Sequence, residues 1–131
     1  MSIARRELLT VHLPAALWWL AVTVALAAPQ RNFADLPHWF PDFLHFQWID
    51  KVVHAVLFGI LGLLVARSFR LLPAFRRPLL GAFLATCLYG LAAEVGQEVL
   101  TDRSGEVGDW LANVFGAALA IALLALRERR R

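Results

Sequence analysis

The chain has 131 residues, of which 60% are hydrophobic and 18% charged, with a formal net charge of +3 at pH 7. Soluble domains average about 45–50% apolar residues, so a water-soluble core is the wrong frame, and the length limits the chain to one domain, residues 1–131. The lone cysteine, Cys87, excludes an intrachain disulfide, and a thiol in the middle of an apolar run is poorly placed to act as a nucleophile.

Four segments approach the roughly 20 apolar residues needed to cross about 30 Å of hydrocarbon: residues 8–28, 49–66, 79–97 and 107–126. The expected fold is therefore all-α, a polytopic membrane protein built as a compact bundle of four transmembrane helices. The first segment, preceded by Arg5 and Arg6 and ending in small residues, imitates a secretory signal peptide. Its apolar run is longer than the 7–15 residues usual for such a region, so it reads as a retained helix. Pro14 sits one to two turns in, which is tolerable in a membrane because neighbouring groups satisfy the freed carbonyl.

Residues 29–48 form an outer loop crowded with Phe33, Trp39, Phe40, Phe43, Phe46 and Trp48. Pro37 and Pro41 prevent one long helix there. The aromatic residues read first as a belt at the headgroup level, and second as a platform for a lipid-linked sugar or acyl chain. In the last segment Gly108, Ala112, Gly116 and Ala120 recur every four residues, a small-residue stripe that lets membrane helices approach closely. Ser104, in the turn DRSG, is expected to cap that helix.

The cations report topology rather than a nucleic-acid partner. Arg5, Arg6, Arg67, Arg70, Arg76, Arg77, Arg127, Arg129, Arg130 and Arg131 all fall on one side of the four segments. Lysine and arginine near spans concentrate in the cytoplasm, so both termini are expected to be cytoplasmic. The opposite side keeps Arg31, Lys51 and Arg103.

Counting up from each cytoplasmic helix end at about 1.5 Å per residue places His54 about 18 Å, Asn113 about 20 Å, Glu94 about 22 Å and Asp109 about 26 Å deep. Three helices thus deliver polar groups to one level, in or at the edge of the outer third of the bilayer core. Ionisable residues inside a membrane are costly and face a bundle interior or wet cavity. Asp50 and His54, Glu94 and Gln97, and Asp109 and Asn113 each stand three or four residues apart, on one helix face.

The segments DKVVHAVLFGILGLL, YGLAAEVGQ and RSGEVGDWLANVFG together resemble the VanZ-like family of small bacterial membrane proteins. The family's pattern is Asp-Lys-x-x-His opening one span, Asp-Glu-x-x-Gln closing the next, then Arg, Asp, Asn and Gly leading the last. Asp50, Lys51, His54, Glu94, Gln97, Arg103, Asp109, Asn113 and Gly116 fall on it, whereas Ala93 stands where the family has its first aspartate. The resemblance implies the bacterial cytoplasmic membrane, the cell envelope and a role in teicoplanin resistance.

Several functions fit this set. In one, an outward-facing pocket binds a phosphate-bearing lipid or lipid-linked envelope precursor, with Lys51 and Arg103 on phosphate and Asp50, Gln97 and Asn113 completing the wall. In a second, the protein is a membrane enzyme with His54 as acid or base, oriented by Glu94 or Asp109. In a third, the cluster only pins helices together. No cofactor is expected. A metal held by His54, Glu94 and Asp109 is weakened by the single motif histidine and the absence of an HExxH or cysteine cluster. Ser104 lacks the Gly-x-Ser-x-Gly context of a hydrolase, and the absence of an inverted repeat gives a transporter little support. Whether copies associate is open.

Overall fold

A computed structural model describes Arg6, residues 8–27, residues 48–100 and residues 106–130. A short π-helical stretch, Leu8–His12, runs into α1 (Leu13–Ala27), followed by α2 (Trp48–Phe69), α3 (Pro78–Leu100) and α4 (Val107–Arg129). Among the described residues four helices are long and apolar enough to cross a membrane, the first counted together with its π-helical stretch as Leu9–Ala27. The expected outer aromatic loop lies outside the described residues except for Trp48, which opens α2. Helices α2, α3 and α4 exceed the expected spans by one to three residues at individual ends.

The wide turn before α1 answers to Pro14. A proline inside an α-helix removes one amide donor and crowds the carbonyl four residues earlier. A π-helical stretch relaxes that register locally. One turn earlier, the Thr10 hydroxyl donates to the Arg6 carbonyl at 2.8 Å.

The bundle is inside out relative to a soluble protein. Most of its buried positions are small or polar, at helical spacing and joined by Phe58 and Ile121: His54, Gly62 and Ala66 on α2; Ala82, Thr86, Gly90, Glu94 and Gln97 on α3; Asp109, Asn113 and Gly116 on α4. Large side chains such as Leu63, Leu88, Val95, Phe115 and Leu123 are exposed. Water would penalise that apolar area at about 25 cal/mol per Å², whereas lipid tails do not. This distribution and the four long apolar helices make the protein a multi-pass membrane protein.

The most extensive helix pair is α2 with α4. The stripe of small residues permits it: a Cβ built on Gly116 would fall 1.9 Å from the Ala55 carbonyl oxygen, and one on Gly59 would fall 3.2 Å from the Gly116 carbonyl oxygen. α3 packs on both, and α1 lies against α2 and α3. Phe58, Leu61, Val22 and Leu26 form the apolar contact between α1 and α2. The Trp18 indole donates to the Leu57 carbonyl at 3.0 Å, and the Thr23 and Tyr89 hydroxyls meet at 2.8 Å.

At the end where α2 meets α3, Phe69 and Phe75 stack and close the turn. His12 Nδ1 pairs with the Ser68 hydroxyl, and Arg70 pairs with Glu128. The opposite end, where α2 and α4 begin and α3 finishes, carries the polar cluster.

Candidate functional site

The first residue of the cluster is set by a glycine. Lys51, one turn into α2, crosses to the start of α4 and lies over Gly108, where a Cβ would stand 3.1 Å from its Cε. Its ammonium donates to Asp109 Oδ1 at 2.9 Å and to Glu106 Oε2 at 3.2 Å. Asp109 is nearly buried at 7% side-chain exposure, while Glu106 is 53% exposed. The two bonds therefore differ in weight: exposed ion pairs contribute about 0–1 kcal/mol, whereas a buried carboxylate that loses its cation costs several.

One turn further along α2, His54 is buried at 2% exposure. Its Nδ1 is 3.0 Å from Asn113 Oδ1, and Asn113 Nδ2 donates to Glu94 Oε1 at 3.3 Å. A carboxylate accepts, so it takes the amide nitrogen of Asn113 and turns the carbonyl oxygen toward His54. That oxygen in turn requires a proton on Nδ1. The other ring nitrogen, Nε2, faces Asp109 Oδ2 at 3.9 Å. Glu94 lies on the other edge of the ring, 3.9 Å from Nδ1.

Glu94 has a second task. Its Oε2 accepts the backbone N–H of Glu106 at 3.3 Å, placing an anion against the positive end of α4. The cap position of α4 is Glu106, whose side chain makes no cap bond. This corrects the expectation for Ser104, which itself lies outside the described residues. Beside it, the Trp110 indole donates to the Cys87 carbonyl at 3.3 Å and fastens α4 to α3.

Helices α2, α3 and α4 thus bring Lys51, His54, Glu94, Asp109 and Asn113 into one hydrogen-bonded and ion-paired group. Asp50, half-buried, joins the Asp109 side of the histidine: one ligand atom each from Asp50, His54 and Asp109 lie within 4.8 Å of one another. The metal set weighed from the sequence is rearranged accordingly. Glu94 and Asp109 flank opposite nitrogens of one ring, so one ion cannot take a ring nitrogen and both carboxylates; Asp50 replaces Glu94.

Gln97 is buried but bends toward α1, where its amide donates to the Leu26 carbonyl at 2.8 Å. Arg103 lies outside the described residues. Glu106 is the participant that sequence reasoning missed. It stands three residues before Asp109, on the same side of the helix start, and that spacing was the available signal.

A cavity of about 260 Å³ between α3 and α4 is lined by Glu94, Glu98 and Glu106 together with Leu91, Val95, Val107 and Trp110. A second, also about 260 Å³, lies between α1 and α3 beside Gln97 and Tyr89. Polar groups and apolar walls therefore meet at the same end of the bundle.

Neither the curated proteins nor the solved structures provide a match to this sequence. The family pattern VanZ/LLP1 matches residues 9–128, from the first helix to the end of the last. With the polar cluster built from the same three segments that carry the resemblance, the chain belongs to the VanZ/LLP1 family.

Proposed function

We propose that the cluster is an outward-facing pocket that binds a phosphate-bearing lipid or a lipid-linked cell-envelope precursor in the bacterial cytoplasmic membrane. The observation that carries this reading is the meeting of a buried charged group with an apolar-walled cavity inside a membrane-spanning bundle. An amphiphile with an anionic head and a hydrocarbon body needs both. Lys51 supports the anionic part: an ammonium has three donors, and among the described residues Asp109 and Glu106 take two of them. Exposed Glu106 is the partner that a phosphate oxygen displaces at least cost. Arg103, which follows α3 and precedes α4 in the sequence, is proposed as the second cation, with a guanidinium whose planar fork suits phosphate.

The orientation follows the arginines. Arg70, Arg76 and Arg77 between α2 and α3, Arg127 and Arg129 in the last turn of α4, and Arg130 just after it lie at the end away from the cluster. With that end in the cytoplasm, both termini are cytoplasmic and the pocket opens on the extracytoplasmic face.

The test is retention of a polyprenyl monophosphate by the purified protein in nanodiscs, followed by native mass spectrometry. Retention by the wild type, lost in His54→Ala, Glu94→Gln and Asp109→Asn while the variants still insert and fold, supports the pocket. Variants that fail to accumulate favour a cluster that only pins helices together.

A second reading is favoured by the fixed histidine. With Nδ1 committed to Asn113, Nε2 of His54 is the ring nitrogen left for proton transfer, as an acid–base residue acting on a lipid-linked substrate requires. Conversion of a lipid-linked precursor to a product of different mass, abolished by His54→Ala, would establish turnover. The teicoplanin role implied by the family resemblance belongs to the same proposal: expression should raise the teicoplanin concentration that a susceptible bacterium tolerates.

A further inference from the structure

Among the described residues four carboxylates, those of Asp50, Glu94, Glu106 and Asp109, stand around Lys51 and His54. Carboxylates inside a membrane span are expensive unless a cation offsets them. The Asn113–Glu94 relay engages Nδ1 of His54, while Nε2 and Asp109 Oδ2 stand 3.9 Å apart, beyond hydrogen-bond distance of one another. Asp50, one turn before His54 on α2, brings a third ligand atom to the group, all within 4.8 Å of one another. Lys51 neutralises Asp109 from its other oxygen, Oδ1, and leaves Oδ2 turned toward the ring.

We propose that Asp50, His54 Nε2 and Asp109 Oδ2 bind a divalent cation of the Mn²⁺ or Zn²⁺ class. The donor set is one imidazole with two carboxylates, which suits these ions better than the softer thiolate-seeking ones. Donor atoms around an ion at about 2.1 Å stand roughly 3 to 4 Å apart, so the observed Nε2–Oδ2 separation fits and the third ligand closes by a small side-chain rotation. Behind the ligands the structure holds what such sites require: the other ring N–H of a metal-bound histidine is given to an oxygen acceptor that fixes its tautomer, here Asn113, itself held by Glu94.

The cation offsets the carboxylates, and its remaining coordination positions are filled by water or a phosphate oxygen. His54 is then a ligand, not an acid or base. The bridging of phosphate rests on the lipid-phosphate reading above; the cation site itself does not.

Metal-stripped full-length protein, purified in detergent, should be titrated with Mn²⁺ while the six-line spectrum of the free ion is followed by electron paramagnetic resonance, with Zn²⁺ as competitor. One equivalent of Mn²⁺ should disappear from the free pool and return on addition of Zn²⁺. His54→Gln and Asp50→Asn should each weaken binding at least tenfold, and Glu128→Gln, at the far end, should not change it. Asp50 is half-buried, so its variant keeps the test informative if His54→Gln fails to fold. Wild-type protein that leaves both ions free, or Asp50→Asn protein that binds as tightly as wild type, overturns the site. Repeating the polyprenyl-phosphate retention with Mn²⁺ and with EDTA separates the two ideas. Metal bound without lipid retained keeps the cation site and removes the phosphate reading; lipid retained equally in EDTA by protein that binds no metal does the reverse.

Discussion

Gly116 of α4 rests on the backbone of Ala55 in α2, so closely that a single added methyl would fall 1.9 Å from the Ala55 carbonyl oxygen. The neighbour is backbone, which cannot swing aside. Gly116→Ala is therefore expected to separate the two helices and lower stability by about 1–3 kcal/mol or more. Gly96→Ala, with nothing within 4 Å of the new methyl, should be close to neutral. Unfolding of both variants by denaturing detergent, followed by circular dichroism, checks the contrast; equal stability of the two would show that the close approach does not hold the pair together.

Lys51 should matter through Asp109 and hardly through Glu106. Lys51→Met leaves a carboxylate of 7% side-chain exposure without its cation, and breaking a buried pair costs about 3–5 kcal/mol. Glu106→Gln removes a partner that is 53% exposed and should cost about 0–1 kcal/mol. Thermal unfolding midpoints in detergent would rank them. A larger loss in Glu106→Gln would mean that the exposed carboxylate, not the buried one, holds the lysine.

The His54–Asn113 hydrogen bond predicts energetic coupling. In a double-mutant cycle of His54→Ala and Asn113→Ala, the interaction term should be about 0.6 kcal/mol and at most about 1.7, the range found between membrane helices. Strictly additive losses would remove the relay that fixes the ring.

Orientation has an independent check. With Cys87 replaced by alanine, a cysteine at position 104 should react with a membrane-impermeant thiol reagent on intact cells, and one at position 73, between α2 and α3, only after permeabilisation. The opposite pattern would place the pocket in the cytoplasm.

The architecture was legible because a lipid-crossing helix is a matter of length and apolarity, both properties of the linear chain. The level of the polar groups was legible for the same reason: rise per residue converts sequence into depth. Rotation between helices was not. Glu94 and Gln97 are three residues apart and so about 60° off one another around α3, enough for one to meet Asn113 on α4 and the other Leu26 on α1. The edge of the imidazole that each carboxylate faces depends on how α2 seats against α4. That seating comes from Gly116 and Ala55, a pair 61 positions apart, which explains why Glu94 was grouped with Asp109 around a metal and Asp50 was not. Glu106 escaped notice because it stands in the run of polar residues between two helices, where charge is ordinarily solvated.

His12–Ser68 and Arg70–Glu128 at one end of the bundle acquire their meaning from the cluster at the other. Along α2, His54 and Ser68 are separated by about 21 Å of helix. A rod fastened at one point can pivot, and a rod fastened at neither can slide; α2 is fastened at two. Moving it past α4 by one helical turn, about 5.4 Å, would break the ties at both ends together. Piston-like travel of α2 is thereby disfavoured, and side chains at the polar end rearrange around helices that keep their registry.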